Sequence, residues 1–489
     1  MASIVWFRRD LRLHDQAALL AAMAEGRPVL PVYILDDETP RHRRMGGAAR
    51  WWLHNSLTQL DESLRARGSR LILRRGPVAQ VLAQLVQEVG ASAIHALRHY
   101  EPWWRNAERA VRDSLSKGAA LIRHNGLYLH PPGSLTTNGG GQFKIYTPFW
   151  RALAQRMPPA EPRPAPDRIA APDIWPDSDD LDSWGLLPSR PDWAGGMRDF
   201  WTPGEAGAAE RLDDFLPGAK QYEEKRNLPS ISGTSFLSPH LHFGEISPAT
   251  IWHAAMDAGG SVETYLKELV WREYAANVIL QFPDYGARNA RAVFDRFPWR
   301  DMADARVRQD YIRWTKGLTG YPIVDAGMRQ LWATGWMHNR VRMIAASFLI
   351  KHLLIDWRVG EQWFWDTLVD ADYASNAVNW QWTAGSGVDS NMFVRIMAPL
   401  VQSEKFDAAG YIRQWVPELA MLDDKAIHDP EEHGVRPGNY PEKLIGHRAA
   451  RERALAAHAM MGRLGSVDDE AVAGLEPANQ QLGNRFSHD

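Results

Sequence analysis

Hydrophobic and polar residues follow two different rhythms along the chain, and the change falls near residue 205. Before it, apolar runs of strand length (Ser3–Arg8, Val29–Leu35, Arg70–Arg74, Ala93–Arg98 and Ala120–His124) alternate with helical spacing over 15–25, 47–67, 78–89 and 103–117. That alternation predicts a doubly wound, Rossmann-like α/β domain: a parallel sheet covered on both faces, with ligands gathering at the carboxyl ends of its strands. After residue 205, amphipathic patterns broken by Pro and Gly predict an all-α domain. Between them, Pro158–Pro191 holds nine prolines and six aspartates in 34 residues. Such a density forbids regular ladders and predicts an extended connector, pinned by Trp175, Trp184, Leu186 and Leu187. The expected division is an α/β domain over 1–130, a surface-wrapping linker over 131–204 and a helical domain over 205–489.

Composition adds limits. The 489 residues, 45% of them hydrophobic, suffice for two or three domains with sizeable cores. There is no cysteine, which excludes disulfides, thiolate metal sites and cysteine nucleophiles. A net charge of −3 calls for no nucleic-acid partner by itself and leaves only a local basic face as a route to one. The opening MASIVWFRRDLRL meets charge too early for a signal peptide, and the longest apolar run, Met343–Ile355, is interrupted by Lys351 and His352. A soluble cytoplasmic protein without a membrane partner is expected. No GxGxxG follows the first strand, Gly139–Gly141 lie beyond the sheet, and there is no Walker A sequence, so no familiar dinucleotide or P-loop site is expected there. His338 and His352 have no metal-ligand spacing, and no metal is expected.

The chemistry concentrates in Trp357–Trp382, which holds five of the 22 tryptophans together with Asp370, Asp372 and Asn376. Any one indole there fits a packed helical core. The carboxylates do not, because burying them is unfavourable unless a cation or hydrogen-bond donors meet them, and a bound polar cofactor would. Arg342, in GWMHNRVRM, is the candidate cation for Asp370. In GTSFLSPHLHFGE, Ser238 followed by Pro239 fits either a plain helix cap or, with the hydroxyls of Thr234 and Ser235, a phosphate seat. In ELVWREY, Glu268, Trp271 and Arg272 stand at i, i+3 and i+4, so one helix face presents an acid, an indole and a guanidinium. That face fits a salt bridge, or equally a surface that stacks and hydrogen-bonds a flipped base. Arg288, Arg291, Arg296 and Arg300, interleaved with Phe294, Phe297 and Trp299, form either a solvated face or a grip on phosphates.

Taken together, WFRRDLRLHDQ, TSFLSPHLHFGEIS, ELVWREY, TGYPIVDAGMRQLWATGWMHNRVRM and DADYASNAVNWQW resemble, in order and across nearly the whole chain, the DNA photolyase and cryptochrome family. The resemblance implies an antenna domain followed by a helical domain holding FAD, active when reduced. It implies that Tyr222, Thr234, Ser235, Phe236, Leu237, Ser238, Arg342, Asp370, Ala371, Asp372 and Asn376 bind the cofactor. Asn376 matches the residue that faces flavin N5, where plant cryptochromes carry an aspartate. Trp380, Trp357 and Trp299 match the electron-transfer chain, with Trp314 or a tyrosine as the alternative outer donor.

The same resemblance places Arg226, Glu268, Trp271, Arg272, Asn339, Arg340, Met343 and Trp382 against damaged DNA, with Glu268, Asn376 and Met343 nearest the reaction. The (6-4) enzymes have histidines in place of Asn339 and Met343, so HNRVRM implies repair of cyclobutane pyrimidine dimers, by a class I or class III enzyme. UV-damaged DNA is the expected partner, for a monomer needing no obligate protein partner. The alternatives are a cryptochrome-type photoreceptor without repair, or (6-4) repair. Cryptochromes typically add a long tail, whereas the stretch after about residue 460, GSVDDEAVAGLE, is short and polar. A second, antenna chromophore is implied. Tyr100-Glu101 is followed by Pro102-Trp103-Trp104 instead of the family's Asn-Glu pair, so a deazaflavin, a folate held by Trp51, Trp52 or Trp104, or an empty site all fit.

Overall fold

A computed structural model describes residues 2–115, 118–390, 393–435 and 437–473, with side chains to residue 463. The acidic stretch singled out near the end falls partly outside these residues. Five strands, β1 (Ser3–Phe7), β2 (Val29–Leu35), β3 (Ile72–Arg75), β4 (Ala93–Leu97) and β5 (Ala120–His124), form one sheet of order β3-β2-β1-β4-β5. Every pairing is parallel, from Ser3 opposite Val29 to Leu97 opposite His124. Helices α1 (Ala17–Ala24), α2 (Gly47–Arg65), α3 (Val78–Val89) and α4 (Pro102–Ser114) make the crossovers. β1, β2 and β4 are buried along their whole length, as a sheet covered on both faces requires. β5 is a half-exposed edge carrying Arg123 and His124, charges of the kind that discourage edge-to-edge pairing.

The proline-rich connector has one 3-10 turn, Leu181–Trp184, and is tied to the sheet domain along its length. Its backbone pairs with that of Asp15, Val29, Arg67 and Leu73. Trp184 packs beside Tyr33 at 6.1 Å, and Arg70 lies 4.8 Å above Trp175. Leu186 is buried while Leu187 is exposed, so only one of the two leucines pins it. Helices Tyr146–Ala154 and Gly195–Phe200 flank this connector, two elements that the proline pattern did not predict.

After β5 the described chain is helical. Helices Glu263–Gln281, Pro322–Thr334, Asn339–Ser347, Trp357–Thr367 and Tyr373–Ala384 position the candidate site. Asp356 and Asp372 cap the last two, accepting from the amides of Arg358 at 2.9 Å and Ser375 at 2.8 Å. These two helices pack closely because of Gly360: a Cβ there would stand 2.2 Å from the Trp380 ring. The apolar run at Met343–Ile355 ends one helix and continues as a π-turn, Phe348–His352. No helix among the described residues is long and apolar enough to cross a membrane.

The two halves meet through polar contacts at the carboxyl end of β1. Arg12, almost fully buried, donates to the carbonyls of Gly244 at 3.0 Å and Gly126 at 2.8 Å, and the Leu11 amide donates to Phe243. Gly244 permits this approach, since a Cβ on it would fall 2.3 Å from the Arg9 carbonyl oxygen.

Candidate cofactor and substrate site

Three distant segments converge on Asp370. Ser238 donates its hydroxyl to Asp370 Oδ2 at 2.6 Å and accepts from Trp336 Nε1 at 3.2 Å. Arg342 meets the same carboxylate with both terminal nitrogens, Nη1 to Oδ1 at 3.0 Å and Nη2 to Oδ2 at 2.8 Å. This bidentate pair is what makes the buried acid tolerable. The helix cap expected at Ser238 is displaced. Leu237 takes the cap position without a side-chain bond, Ser238 is the first helical residue and Pro239 the second. The helix is six residues long, so the hydroxyls of this loop, rather than a helix end, are its polar resource. Thr234 and Ser235 are half-buried and Ser238 is exposed, although Gly233 and Leu237 between and beside them are buried. Phe236, at φ 53°, packs against Trp336 at 4.6 Å and Phe200 at 5.7 Å, so it and Leu237 are packing residues. Tyr222 is likewise in a core, against Tyr265 at 5.2 Å.

Asp372, two residues on, faces the α/β domain. Arg9 Nη1 lies 3.4 Å from Asp372 Oδ2 and 3.2 Å from His242 Nδ1, and the Arg9 guanidinium also pairs with Glu101. Burial pulls the Asp372 carboxyl upward, but Arg9 and His242 outweigh it and hold it below its ordinary value. Burial keeps His242 well below the usual imidazole range, with Arg9 acting in the same direction.

Asn376 is buried one turn into the helix that Asp372 caps. Its amide nitrogen donates to the Glu361 carbonyl at 3.1 Å and to Glu361 Oε1 at 2.9 Å. Its carbonyl oxygen has no donor among the described residues. Trp380 lies on Gly360 and edge-on to Phe364 at 5.0 Å. Trp357, fully buried, donates to Asn289 Oδ1 at 2.9 Å, while Trp299 is half-buried against Phe297 at 4.2 Å. Trp314, the alternative outer donor, is fully buried and stacks on Phe364 at 6.1 Å.

A second cluster forms around Glu268, which pairs with Arg226. Arg340 donates to Asn227 Oδ1 at 2.7 Å and lies 3.6 Å from the Met343 sulfur. Burial raises the Glu268 carboxyl above its ordinary value, with Arg226 and Arg340 opposing. Trp271, 41% exposed, stacks face to face on Tyr146 at 3.5 Å, leaving one ring face open. Trp382 is half-buried with no aromatic partner among the described residues, and Asn339 is exposed.

Arg272 does not join this face. It donates to the Leu127 carbonyl at 2.7 Å and lies 4.4 Å above Tyr128, locked between the domains. Its Cβ shares a helix stripe with Glu268, but the long side chain turns toward the α/β domain. Two of the interleaved arginines are engaged within the fold: Arg291 binds the Gly385 carbonyl at 2.9 Å, and Arg300 binds Asp310 at 2.8 Å. Trp51, Trp52 and Trp104 are packing residues rather than open faces for a folate; Trp52 is enclosed by Trp201, His240 and Phe243.

Residues 3–167 match the family described as DNA photolyase, and residues 265–460 match the FAD binding domain of DNA photolyase. The chain is 50% identical over 473 residues to the deoxyribodipyrimidine photo-lyase of Agrobacterium fabrum, covering 93% of this chain and 97% of that one. The chain belongs to the DNA photolyase and cryptochrome family. It is 36% identical to Cryptochrome-1 of Arabidopsis thaliana, over 96% of this chain and 72% of the relative. The crystal structure of a class III photolyase from Agrobacterium tumefaciens superposes with a TM-score of 0.90 at 48% identity, covering 94% of this chain and 98% of that one.

The residues present suit the family's FAD. A carboxylate–guanidinium pair, an amide carbonyl without a donor and three hydroxyls on one loop offer both polarities to a flat, polar cofactor, and small Ala371 separates the two acids. Three neighbours of the site, Arg9, Arg43 and Glu361, lie outside the candidate residues that the sequence patterns single out. Only Glu361, an acid within an apolar helix, carried a signal that could have found it.

Proposed function

We infer that the chain is a deoxyribodipyrimidine photo-lyase that uses light and reduced FAD to repair cyclobutane pyrimidine dimers in UV-damaged DNA. What supports this most is the Asn339–Ser347 helix, which joins the two clusters. One face carries Arg342 to Asp370, and the opposite face carries Arg340 and Met343 toward Glu268 and Arg226. A cofactor held by the first cluster and a lesion held by the second would be neighbours across one helix.

When bound and reduced, FAD supplies an electron to the dimer under blue or near-UV light and recovers it after the ring opens. The chain's own residues bind, orient and exclude water. Glu268, pushed upward by burial and held by Arg226, hydrogen-bonds the edge of the dimer where negative charge develops. The free face of Trp271 and the ring of Trp382 stack on the extruded pyrimidines, and Met343 packs beside them. Flipping takes a few kcal/mol and is easiest where stacking is already damaged, which favours lesions over intact DNA. Asn376 presents its carbonyl to the cofactor, while Trp380, Trp357 and Trp299 carry electrons inward to restore its reduced form. A second chromophore, a folate or deazaflavin, serves as antenna on the α/β domain, and the protein acts as a cytoplasmic monomer.

The test is loss of cyclobutane dimers from UV-irradiated DNA, in light against dark. No light-dependent loss would overturn the reading in favour of a photoreceptor. Glu268→Ala should lower the repair yield while leaving flavin absorbance intact.

A further inference from the structure

Arg43 belongs by sequence to the loop between β2 and α2, yet its side chain serves the helical domain. Its Nη2 lies 2.8 Å from Glu361 Oε2, and its guanidinium lies 3.8 Å above the Trp365 ring. The loop is docked there by backbone contacts. Trp365 Nε1 donates to the Arg44 carbonyl at 2.8 Å, and the Gly47 amide donates to Asp366 Oδ1 at 2.9 Å. At Gly46 a Cβ would stand 2.2 Å from the Trp365 carbonyl oxygen, so only glycine permits this approach.

Glu361 is 1% exposed and is held from both sides. One carboxylate oxygen takes Arg43, and the other takes the Asn376 amide, which also donates to the Glu361 carbonyl. An ionised carboxylate can only accept, so both amide hydrogens of Asn376 are directed to Glu361 and its carbonyl oxygen is the atom left over. Without the arginine, this buried carboxylate has no cation to hold it in place. The Asn376 amide would then lose its fixed acceptor and be free to turn its nitrogen outward.

We propose that Arg43 is a positioning residue: by holding Glu361 as an acceptor it fixes the Asn376 amide so that a carbonyl, and not an N–H, faces the flavin edge. The inference rests on the flavin reading above and adds an agent from the other domain. Its consequence is chemical. Reduced flavin carries an N–H at N5 where oxidised flavin carries a lone pair, so a carbonyl there stabilises the reduced form and repels the oxidised one.

The test uses the full chain loaded with FAD. The ratio of reduced to oxidised flavin is read by absorbance at equilibrium with a dye of known potential, without DNA. Arg43→Met should move that ratio about tenfold toward oxidised flavin, the worth of one charge-assisted hydrogen bond. Arg43→Lys, which keeps the charge, should stay within about threefold of the unaltered protein, short of a full charge-assisted bond. In a Glu361→Gln background, where Arg43 has no anion to hold, Arg43→Met should add nothing, because the two residues act as one unit. An unchanged ratio in Arg43→Met with flavin bound overturns the proposal and leaves the functional reading standing. So does an equal shift in the Glu361→Gln background. Should Arg43→Met fail to fold, Arg43→Lys at a ratio tenfold or more from the unaltered protein overturns it. An unaltered protein that takes up no flavin overturns the functional reading itself.

Discussion

Asp370 and Asp372 stand on either side of one alanine, each paired with an arginine, and they do different work. Asp370 closes on itself within the helical domain. Arg342 grips it in two places, Ser238 fills a remaining acceptor site, and its side chain is 4% exposed. Asp372 reaches outward. It caps a helix with one oxygen and meets Arg9, from the other domain, with the other. The first fixes the geometry of a site, and the second fixes how that site sits against the α/β domain. An acid gripped at both oxygens by one arginine is intolerant of that arginine's loss, whereas one that divides its bonds between a cap and a distant cation can lose either and retain the other.

The largest expected effect is therefore on the Asp370 side. Arg342→Met leaves a buried carboxylate without its cation and should lower unfolding stability by about 3 kcal/mol, with loss of bound flavin. Urea denaturation and flavin absorbance would measure both; a change well under 1 kcal/mol would mean that Asp370 is held by Ser238 alone.

Acid should reveal the histidines next. His338, beside Arg340 and Arg342, is lowered to about 4, chiefly by burial. The unfolded chain takes up this proton near pH 6.5 and the folded one only below that, so stability is lost as pH falls through this window. His338→Gln should remove about 2 kcal/mol of the change between pH 6.5 and 5. Asp372 acts lower on the scale: its depressed pKa contributes stability that is complete above the unfolded carboxyl value, near 4, and disappears as pH falls through the folded one. Unfolding stability followed from pH 7 to 3 would separate the two. If His338→Gln leaves the slope between pH 6.5 and 5 unchanged, the histidine is already exposed to solvent protons.

A smaller effect distinguishes the two functions of Asp372. Asp372→Asn keeps an acceptor for the Ser375 amide and loses only the charge toward Arg9, while Asp372→Ala loses both. The alanine variant should be less stable by about a further 1 kcal/mol, the usual worth of an N-cap. Equal losses in the two variants would mean that the ion pair dominates.

The same contrast shows what the sequence could carry. Asp370 and Arg342 were legible because a carboxylate in an apolar stretch demands a cation, and an arginine stood in the neighbouring motif. The parallel sheet was legible because burial on both faces leaves continuous apolar runs in β1, β2 and β4. The partner of Asp372 was not, since Arg9 lies 363 residues away and nothing local to either one names the other. Arg43 is hidden for the same reason, on a loop whose docking depends on the missing Cβ of Gly46. Pro239 makes Ser238 fit a helix cap or a phosphate seat, but Asp370 competes for its hydroxyl and wins, with a bond to a charged acceptor.

Arg272 is the most informative miss and gives the smallest effect. Periodicity fixes where a Cβ points, so Arg272 shares a stripe with Glu268, but a guanidinium reaches far enough to choose its own partner. It chose the Leu127 carbonyl and the Tyr128 ring, on the Asp372 side of the site and away from the substrate cluster. Arg272→Met should therefore cost about 1 kcal/mol of stability, the worth of one hydrogen bond to a charged donor reduced by its partial exposure. It should leave the salt dependence of DNA binding unchanged. An arginine that neutralises a phosphate contributes about one unit to the slope of log affinity against log salt. Titrating damaged duplex DNA at several salt concentrations reads that slope directly. A drop of a full unit would return Arg272 to the DNA face and show that the interdomain contact opens when DNA binds.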